Sequence, residues 1–286
     1  MIYPVVLAGL QGEAQPTDSA LPPHFCAEAA IESRFQSVLR GLDHPLFAAP
    51  TVVACEAHRF VARQQMDAAG VSGDLIIEPC HTKTAALLAA LALRFQHDPE
   101  ALLLILPAHH AEVEDDAFRR AMEQAMPVAF RGDMVLVTGN QSGPYGHVRA
   151  LSRVRSGQPV QALFSVGVSE ISRDPQSFCS AGVYLVRAGS LLAAFKRYAP
   201  RLLQSTKRAV AEMRAGGGFL RLASEAYGRI NPESFETAIL TRMETVVAIC
   251  ADVAADERAI WERDLALEQR NWALEGLQAS ASTLAA

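Results

Sequence analysis

Through the first half of the chain, short β-branched apolar runs alternate with stretches of helical periodicity, and that alternation leaves few folds open. Strands are expected at residues 2–8, 51–55, 75–78, 102–106 and 134–138, with helices at 27–42, 57–69, 84–95 and 115–130. The strand segments are continuously apolar, as strands covered on both faces must be. Such strand–helix repetition predicts a three-layer α/β fold with a mostly parallel central sheet, Rossmann-like in outline. Ligands of such sheets bind in the loops after the carboxyl ends of the strands, so the chemistry is sought there.

The second half is less regular. Strands are expected at 147–154, 159–166, 182–187 and 246–250, and helices at 190–214 with a break at Pro200, at 232–241 and at 256–276. Neither an internal repeat nor a linker is found. This favours one domain, residues 1–255, with a smaller lobe inserted late in the sheet, then a C-terminal helix (256–278) and a flexible tail (279–286). Gly216-Gly217-Gly218 has no expected strand before it and no lysine after it. It reads as a flexible hinge or loop, not a phosphate loop.

A chain of 286 residues buries roughly three-quarters of its unfolded surface and needs no staples. Its five cysteines (Cys26, Cys55, Cys80, Cys179, Cys250) are scattered, odd in number and without C-x-x-C, as expected of reduced thiols in a cytoplasmic protein. The formal charge of −5 is mild and interspersed, which argues against nucleic-acid or anionic-membrane partners. The most apolar runs, 85–95 and 101–106, are too short to span a bilayer, and residues 1–8 lack the basic start of a signal peptide. No G-x-S-x-G, H-E-x-x-H, Walker or G-x-G-x-x-G pattern occurs. His24, His81, His109 and His110 fall in loops at the expected ligand edge, with Cys26 and Cys80 nearby. They read either as a transition-metal or nucleophile site or as a chance grouping among eight histidines.

Several segments occur together in a telling order. Val5-Val6-Leu7-Ala8-Gly9 and Gly12 open the chain; Val52-Val53-Ala54-Cys55-Glu56-Ala57-His58-Arg59-Phe60, Ile76-Ile77-Glu78-Pro79 and Leu103-Leu104-Ile105-Leu106-Pro107-Ala108-His109-His110 follow. Further on come Tyr145-Gly146-His147-Val148, Ser180-Ala181-Gly182-Val183-Tyr184-Leu185 and Ser234-Phe235-Glu236-Thr237-Ala238-Ile239-Leu240. The series resembles the sugar-nucleotide pyrophosphorylases, and within them the mannose-1-phosphate guanylyltransferases, over residues 2–253. The resemblance implies a nucleotidyltransferase fold and a reaction in which a sugar-1-phosphate attacks the α-phosphate of a nucleoside triphosphate. It implies nucleotide contacts from Gly9, Gly12, Glu78 and Lys83, and sugar contacts from Tyr145, Gly146 and Gly182. Mg²⁺ is expected from the family; Mn²⁺ or Zn²⁺ would suit the residues present better.

Against the family pattern, the charged positions have changed. Phosphoryl-type transfer asks mainly for positioning and for cations that absorb charge on the oxygens. The first loop of the family reads L-A-G-G-x-G-T-R and then P-K-Q-F; here Leu10 replaces a glycine, Ala14 stands for the arginine and Pro23 for the lysine, while Glu13 adds an acid. One charge reversal at about 4 Å from a phosphate is worth on the order of several kcal/mol. His109 stands where L-P-A-D-H carries a metal aspartate, and Asp252 keeps the second carboxylate without its flanking pattern. An imidazole is a poor ligand for Mg²⁺. The family's F-x-E-K-P-D becomes Leu163-Phe164-Ser165-Val166-Gly167-Val168, losing a sugar-holding glutamate and a phosphate-holding lysine, and Lys83 is displaced by one position. Thr84 is expected to cap the helix that follows.

Two readings follow. One is a catalytically impaired homologue that binds a nucleotide or nucleotide-sugar, or regulates an active paralogue in polysaccharide-precursor synthesis. The other is an active nucleotidyltransferase with a re-tooled site, using His109 and Asp252 for metal and Lys83 or Arg149 for phosphate. The C-terminal helix is expected to serve as a docking surface for a homodimer or a paralogue. Ile260, Leu267 and Leu274 repeat every seven residues, and Trp261, Leu265 and Trp272 make a second strip.

Overall fold

A computed structural model of the chain describes residues 1–9, 21–27, 31–79, 84–139, 145–152, 157–166 and 177–250. Strands β1 (Ile2–Leu7), β2 (Thr51–Cys55), β3 (Leu75–Glu78) and β4 (Leu102–Pro107) lie parallel in the order β3-β2-β1-β4. Every residue of β2, β3 and β4 is buried, which is why these stretches are apolar on both faces. Helices α1 (Arg34–Gly41), α2 (Arg59–Ala68) and α3 (Thr84–Arg94) run between them, and α4 (Asp116–Phe130) follows β4.

The first helix departs from expectation by starting at Arg34, well after residue 27. Ser33 Oγ accepts the N–H of Gln36 at 3.2 Å, and the Gln36 side chain takes the N–H of Ser33 at 3.0 Å. That reciprocal cap satisfies two donors that would otherwise be orphaned, so the helix begins there. Residues 28–30 of the expected helix lie outside the described residues.

The chain continues through β5 (Val135–Gly139), β6 (His147–Ala150), β7 (Val160–Ser165), β8 (Ser177–Arg187), α5 (Ala188–Tyr198) and α6 (Pro200–Ala211). A hairpin of β9 (Arg214–Gly216) and β10 (Phe219–Arg221) precedes α7 (Ser224–Tyr227), α8 (Phe235–Ala238) and β11 (Val246–Cys250). Across the sheet the order is β5-β11-β7-β6-β8-β4-β1-β2-β3-β10-β9, and β5 also pairs with β8.

The parallel expectation holds from β4 to β10 and fails beyond β4. There β8 runs antiparallel to β4, β5 and β6, and β7 antiparallel to β6 and β11. The sheet is mixed. No helix lies between β5 and β8 among the described residues, and strands without a helical crossover pair antiparallel. The additional pairing closes β5, β8, β6, β7 and β11 into a ring. The smaller lobe expected beside the sheet therefore shares β5 and β8 with it.

Helices cover both faces. Phe35, Met66 and Phe118 of α1, α2 and α4 fill the core on one side, and Leu88, Phe195, Leu203 and Tyr227 of α3, α5, α6 and α7 fill the other. Residues Ala85 to Leu93 of α3 are all buried, which accounts for a helix apolar all round. Gly217 and Gly218 both take positive φ, +63° and +79°, as a two-residue hairpin turn requires. The triple glycine is thus a tight turn that adds β10 parallel to β3, not a hinge. Residues 251–286, with the expected C-terminal helix, lie outside the described residues. Among the described residues no helix is long and apolar enough to cross a membrane.

Candidate functional site

Because β1 to β4 are parallel, Gly9, Cys55, Glu78 and His109 all come to the carboxyl edge of the sheet. The antiparallel β8 delivers its first half to the same edge, since Tyr184 pairs with Ile105 and the strand runs on toward Ser180. Gly12, Lys83, Asp252, His81 and Cys80 lie outside the described residues.

Gly9 follows β1 at a close approach of two backbones. A Cβ there would sit 3.3 Å from the amide nitrogen of Cys55, so packing against β2 already explains the glycine. A short turn, Pro23–Phe25, then brings His24 beneath the same segment. The ring is buried, and its Nε2–H donates to the Ala8 carbonyl at 3.1 Å. Burial lowers the His24 pKa to about 4; the Ala8 carbonyl opposes this, and the neighbouring His109 and His58 lower it further. Pro23, at the position the resemblance gives to a lysine, is the exposed first residue of that turn.

At the end of β2, Cys55 Sγ lies 3.0 Å from Nδ1 of His58. Burial pushes the thiol pKa up, and the charge of Glu78 on the next strand adds to that direction. Both effects disfavour the thiolate, the form in which a cysteine attacks. His109, beyond β4, is exposed, while His110 is turned inward with Nδ1 3.2 Å from Glu112. Among the described residues no three His, Cys, Asp or Glu side chains are grouped closely enough to hold a metal ion. Arg149 lies exposed on β6, opposite Leu163 of β7.

Glu78 is 3% exposed, and the hydroxyl of Tyr227 donates to its Oε1 at 2.8 Å. The bond ties α7 to the end of β3. Removing a donor from a buried carboxylate leaves part of its desolvation unmet. Tyr227→Phe is therefore expected to lower stability by about 1–3 kcal/mol, read as a fall in the urea midpoint at unchanged slope. An unchanged midpoint would show that the bond contributes nothing. Thr84 Oγ1 accepts the N–H of Phe235 at 2.8 Å, joining the start of α3 to α8.

The three sugar-side residues meet at the bulge of β8. Gly182 has φ +70°, and a Cβ there would lie 2.9 Å from the ring of Tyr145. Gly146 has φ +85°, with Ser165 O and the Phe164 ring each within 2.7 Å of a built Cβ, and its carbonyl accepts the N–H of Ser180 at 2.9 Å. Both glycines are required by close contact. Behind them stand Tyr184 and Glu236, whose side chains the sequence did not single out; the acid at position 236 within the Ser234–Leu240 segment was the only signal.

Comparison with known proteins adds to this geometry. The chain is 28% identical over 282 residues to the mannose-1-phosphate guanylyltransferase of Escherichia coli, covering 91% of this chain and 58% of that protein. It is 29% identical over 279 residues to mannose-1-phosphate guanylyltransferase ManC of Salmonella typhimurium, with 91% and 58% covered. This chain is similar to mannose-1-phosphate guanylyltransferases over most of its length. It spans a little under three-fifths of each of these relatives. No family model matches it. Among solved structures, a Helicobacter pylori protein described as mannose-6-phosphate isomerase superposes with TM-score 0.74 at 20% identity, over 88% of this chain and 98% of that one. A Thermus thermophilus protein described as mannose-1-phosphate geranyltransferase superposes with TM-score 0.67 at 20% identity, over 87% and 73%. The fold is shared with both.

Proposed function

We propose that this guanylyltransferase-like chain binds a guanine nucleotide or nucleotide-sugar at the carboxyl edge of its sheet, that its transfer chemistry is impaired, and that it acts as a binding or regulatory protein of nucleotide-sugar metabolism. The observation that carries the reading is His109. It occupies the first exposed position beyond β4, where the resemblance calls for a metal carboxylate. Mg²⁺ takes oxygen ligands in strict octahedral geometry, which an imidazole serves poorly. No cluster of described donors makes up the difference, so the described residues do not fit the ion. What these residues do is position. Gly9 lets the end of β1 pass close to β2, Glu78 is held by Tyr227, and Tyr145 lies against Gly182.

A second reading has one observation in its favour: the similarity to proteins named as guanylyltransferases runs through 91% of the chain. On that reading the chain is active, with a softer ion such as Mn²⁺ or Zn²⁺ on His109 and Asp252. Binding is tested by thermal unfolding with GTP, GDP, mannose-1-phosphate and GDP-mannose. A ligand present at 100 times its Kd stabilises the native state by about 2.7 kcal/mol, a shift of roughly 5 °C or more for a chain of this size. A shift with GDP-mannose is expected. No shift with any of the four at millimolar concentration overturns the binding reading.

A further inference from the structure

Because β5 closes on β8, the sheet has one open edge among the described residues: strand β9, exposed along its whole length. A row of main-chain donors and acceptors faces outward there. Phe219 of β10 packs in one core with Ala62 and Met66 of α2, so Phe219 and Arg221 lie on the α2 side of the sheet. Residues directly opposite on an antiparallel pair share a face, which puts Gly216 and Arg214 on that side too. Phe60 of α2 is 63% exposed and meets Phe219 edge-on at 5.9 Å. The Arg59 guanidinium lies over the Phe60 ring at 4.1 Å, and that of Arg221 over the Phe219 ring at 5.0 Å.

The charges of this patch do not balance. Glu56 lies 3.1 Å from Arg59 and 3.4 Å from Arg221, so one carboxylate serves two guanidiniums. Arg63 donates to the Gly218 carbonyl at 3.0 Å and has Asp67 at 4.0 Å. Arg214 is exposed directly opposite Arg221, and like charges so placed cost stability. The patch is basic on a chain whose formal charge is −5. Guarding the edge against stray pairing would explain Arg214, since charged edge residues do that. It explains neither the phenylalanine left in water beside it nor the open space at Gly216, where a built Cβ meets nothing within 4 Å.

Arginine and aromatic side chains are the usual anchors of interfaces. Three features set the chemistry of the occupant. An open strand edge accepts an extended peptide backbone, which neither a lipid nor a nucleic acid supplies. Guanidiniums pair with carboxylates through two N–H donors. The open space at Gly216, beside two phenyl rings, takes an apolar side chain. Successive residues of a strand face opposite ways, so an acid and an apolar residue two apart would reach Arg214 and Gly216 together. We propose that β9, Phe60 and the surrounding arginines form a docking edge for an extended acidic segment of another protein, with acidic and apolar residues spaced two apart. The surface is independent of the nucleotide reading above.

Fluorescence anisotropy with the full chain tests it. The probe is a labelled heptapeptide in which serines alternate with glutamate, phenylalanine and glutamate; its counterpart carries lysine for glutamate. The acidic peptide is expected to bind at least about tenfold more tightly than the lysine one. Arg214→Glu and Gly216→Val should each weaken it by about tenfold. Both changes fall on the exposed strand, so the melting temperature should hold. If either variant melts early, Phe60→Ser decides by the same ratio. Equal binding of the two peptides, no binding of the acidic one at millimolar concentration, or binding that the variants leave intact overturns the proposal. Two other occupants would overturn it as well. A labelled oligothymidylate bound more tightly than the peptide and released by Arg214→Glu marks a nucleic-acid surface. A dimer in sedimentation that Phe60→Ser dissociates marks a contact between copies.

Discussion

With GTP and mannose-1-phosphate in Mg²⁺, pyrophosphate release is expected to run at least about 10³-fold below the ~10 s⁻¹ typical of enzymes. Transfer at the α-phosphate depends on groups that neutralise charge as the bond to pyrophosphate breaks. On the resemblance, His109 stands where a metal carboxylate is expected, and Pro23, first residue of the turn that carries the buried His24, stands where a phosphate-holding lysine is expected. By the same resemblance, Ala14 stands for the loop arginine, and Ser165-Val166-Gly167 lacks the expected sugar-phosphate lysine. Losing one such contact commonly costs about 10²–10³ in rate, and losses at one site do not multiply fully. A coupled pyrophosphate assay with Mg²⁺, Mn²⁺ and Zn²⁺ in separate arms measures this. Turnover at ordinary rates in any arm, abolished by His109→Ala, would replace the impaired reading with that of an active transferase.

The second large effect is on acid stability. The His24 pKa falls from 6.5 to about 4 on folding because its ring is buried under Ala8. The native state thus resists the proton that the unfolded chain accepts. The stability this contributes is present above pH 6.5 and is lost as pH falls toward 4. A shift of this size corresponds to about 3 kcal/mol over that window. Urea unfolding at pH 7.5, 5.5 and 4 should show the decline, and His24→Gln should flatten it whatever its own effect at neutral pH. Parallel pH profiles for the two proteins would assign the acid sensitivity elsewhere.

What could be read in advance follows burial. The ranges of β2, β3 and β11 were legible because each is a short, largely apolar run rich in Val or Ile and buried over all or nearly all of its length. The direction of β8 was not, since periodicity says nothing about which neighbour a strand pairs with. The β9–β10 hairpin escaped notice because its strands have three residues each and pair around glycines. At the site, Gly9, Glu78 and His109 were placed at one edge by their position after parallel strands. The Tyr184–Glu236 and Tyr227–Glu78 bonds span 52 and 149 residues. No local pattern could pair them, because tertiary packing alone brings their partners together.

The closed ring also orders events during synthesis. Strand β11 sits between β5 and β7, although both precede it by some 80 residues or more. Until the ribosome has delivered Val246–Cys250, a nascent chain holds both of those strands with an unpaired edge facing each other across a gap. Exposed edges of that kind recruit strands from other chains. Strand β11 is therefore also the one that seals the growing polypeptide against its neighbours on the polysome, and a translation pause just before residue 246 would leave it at its most adhesive.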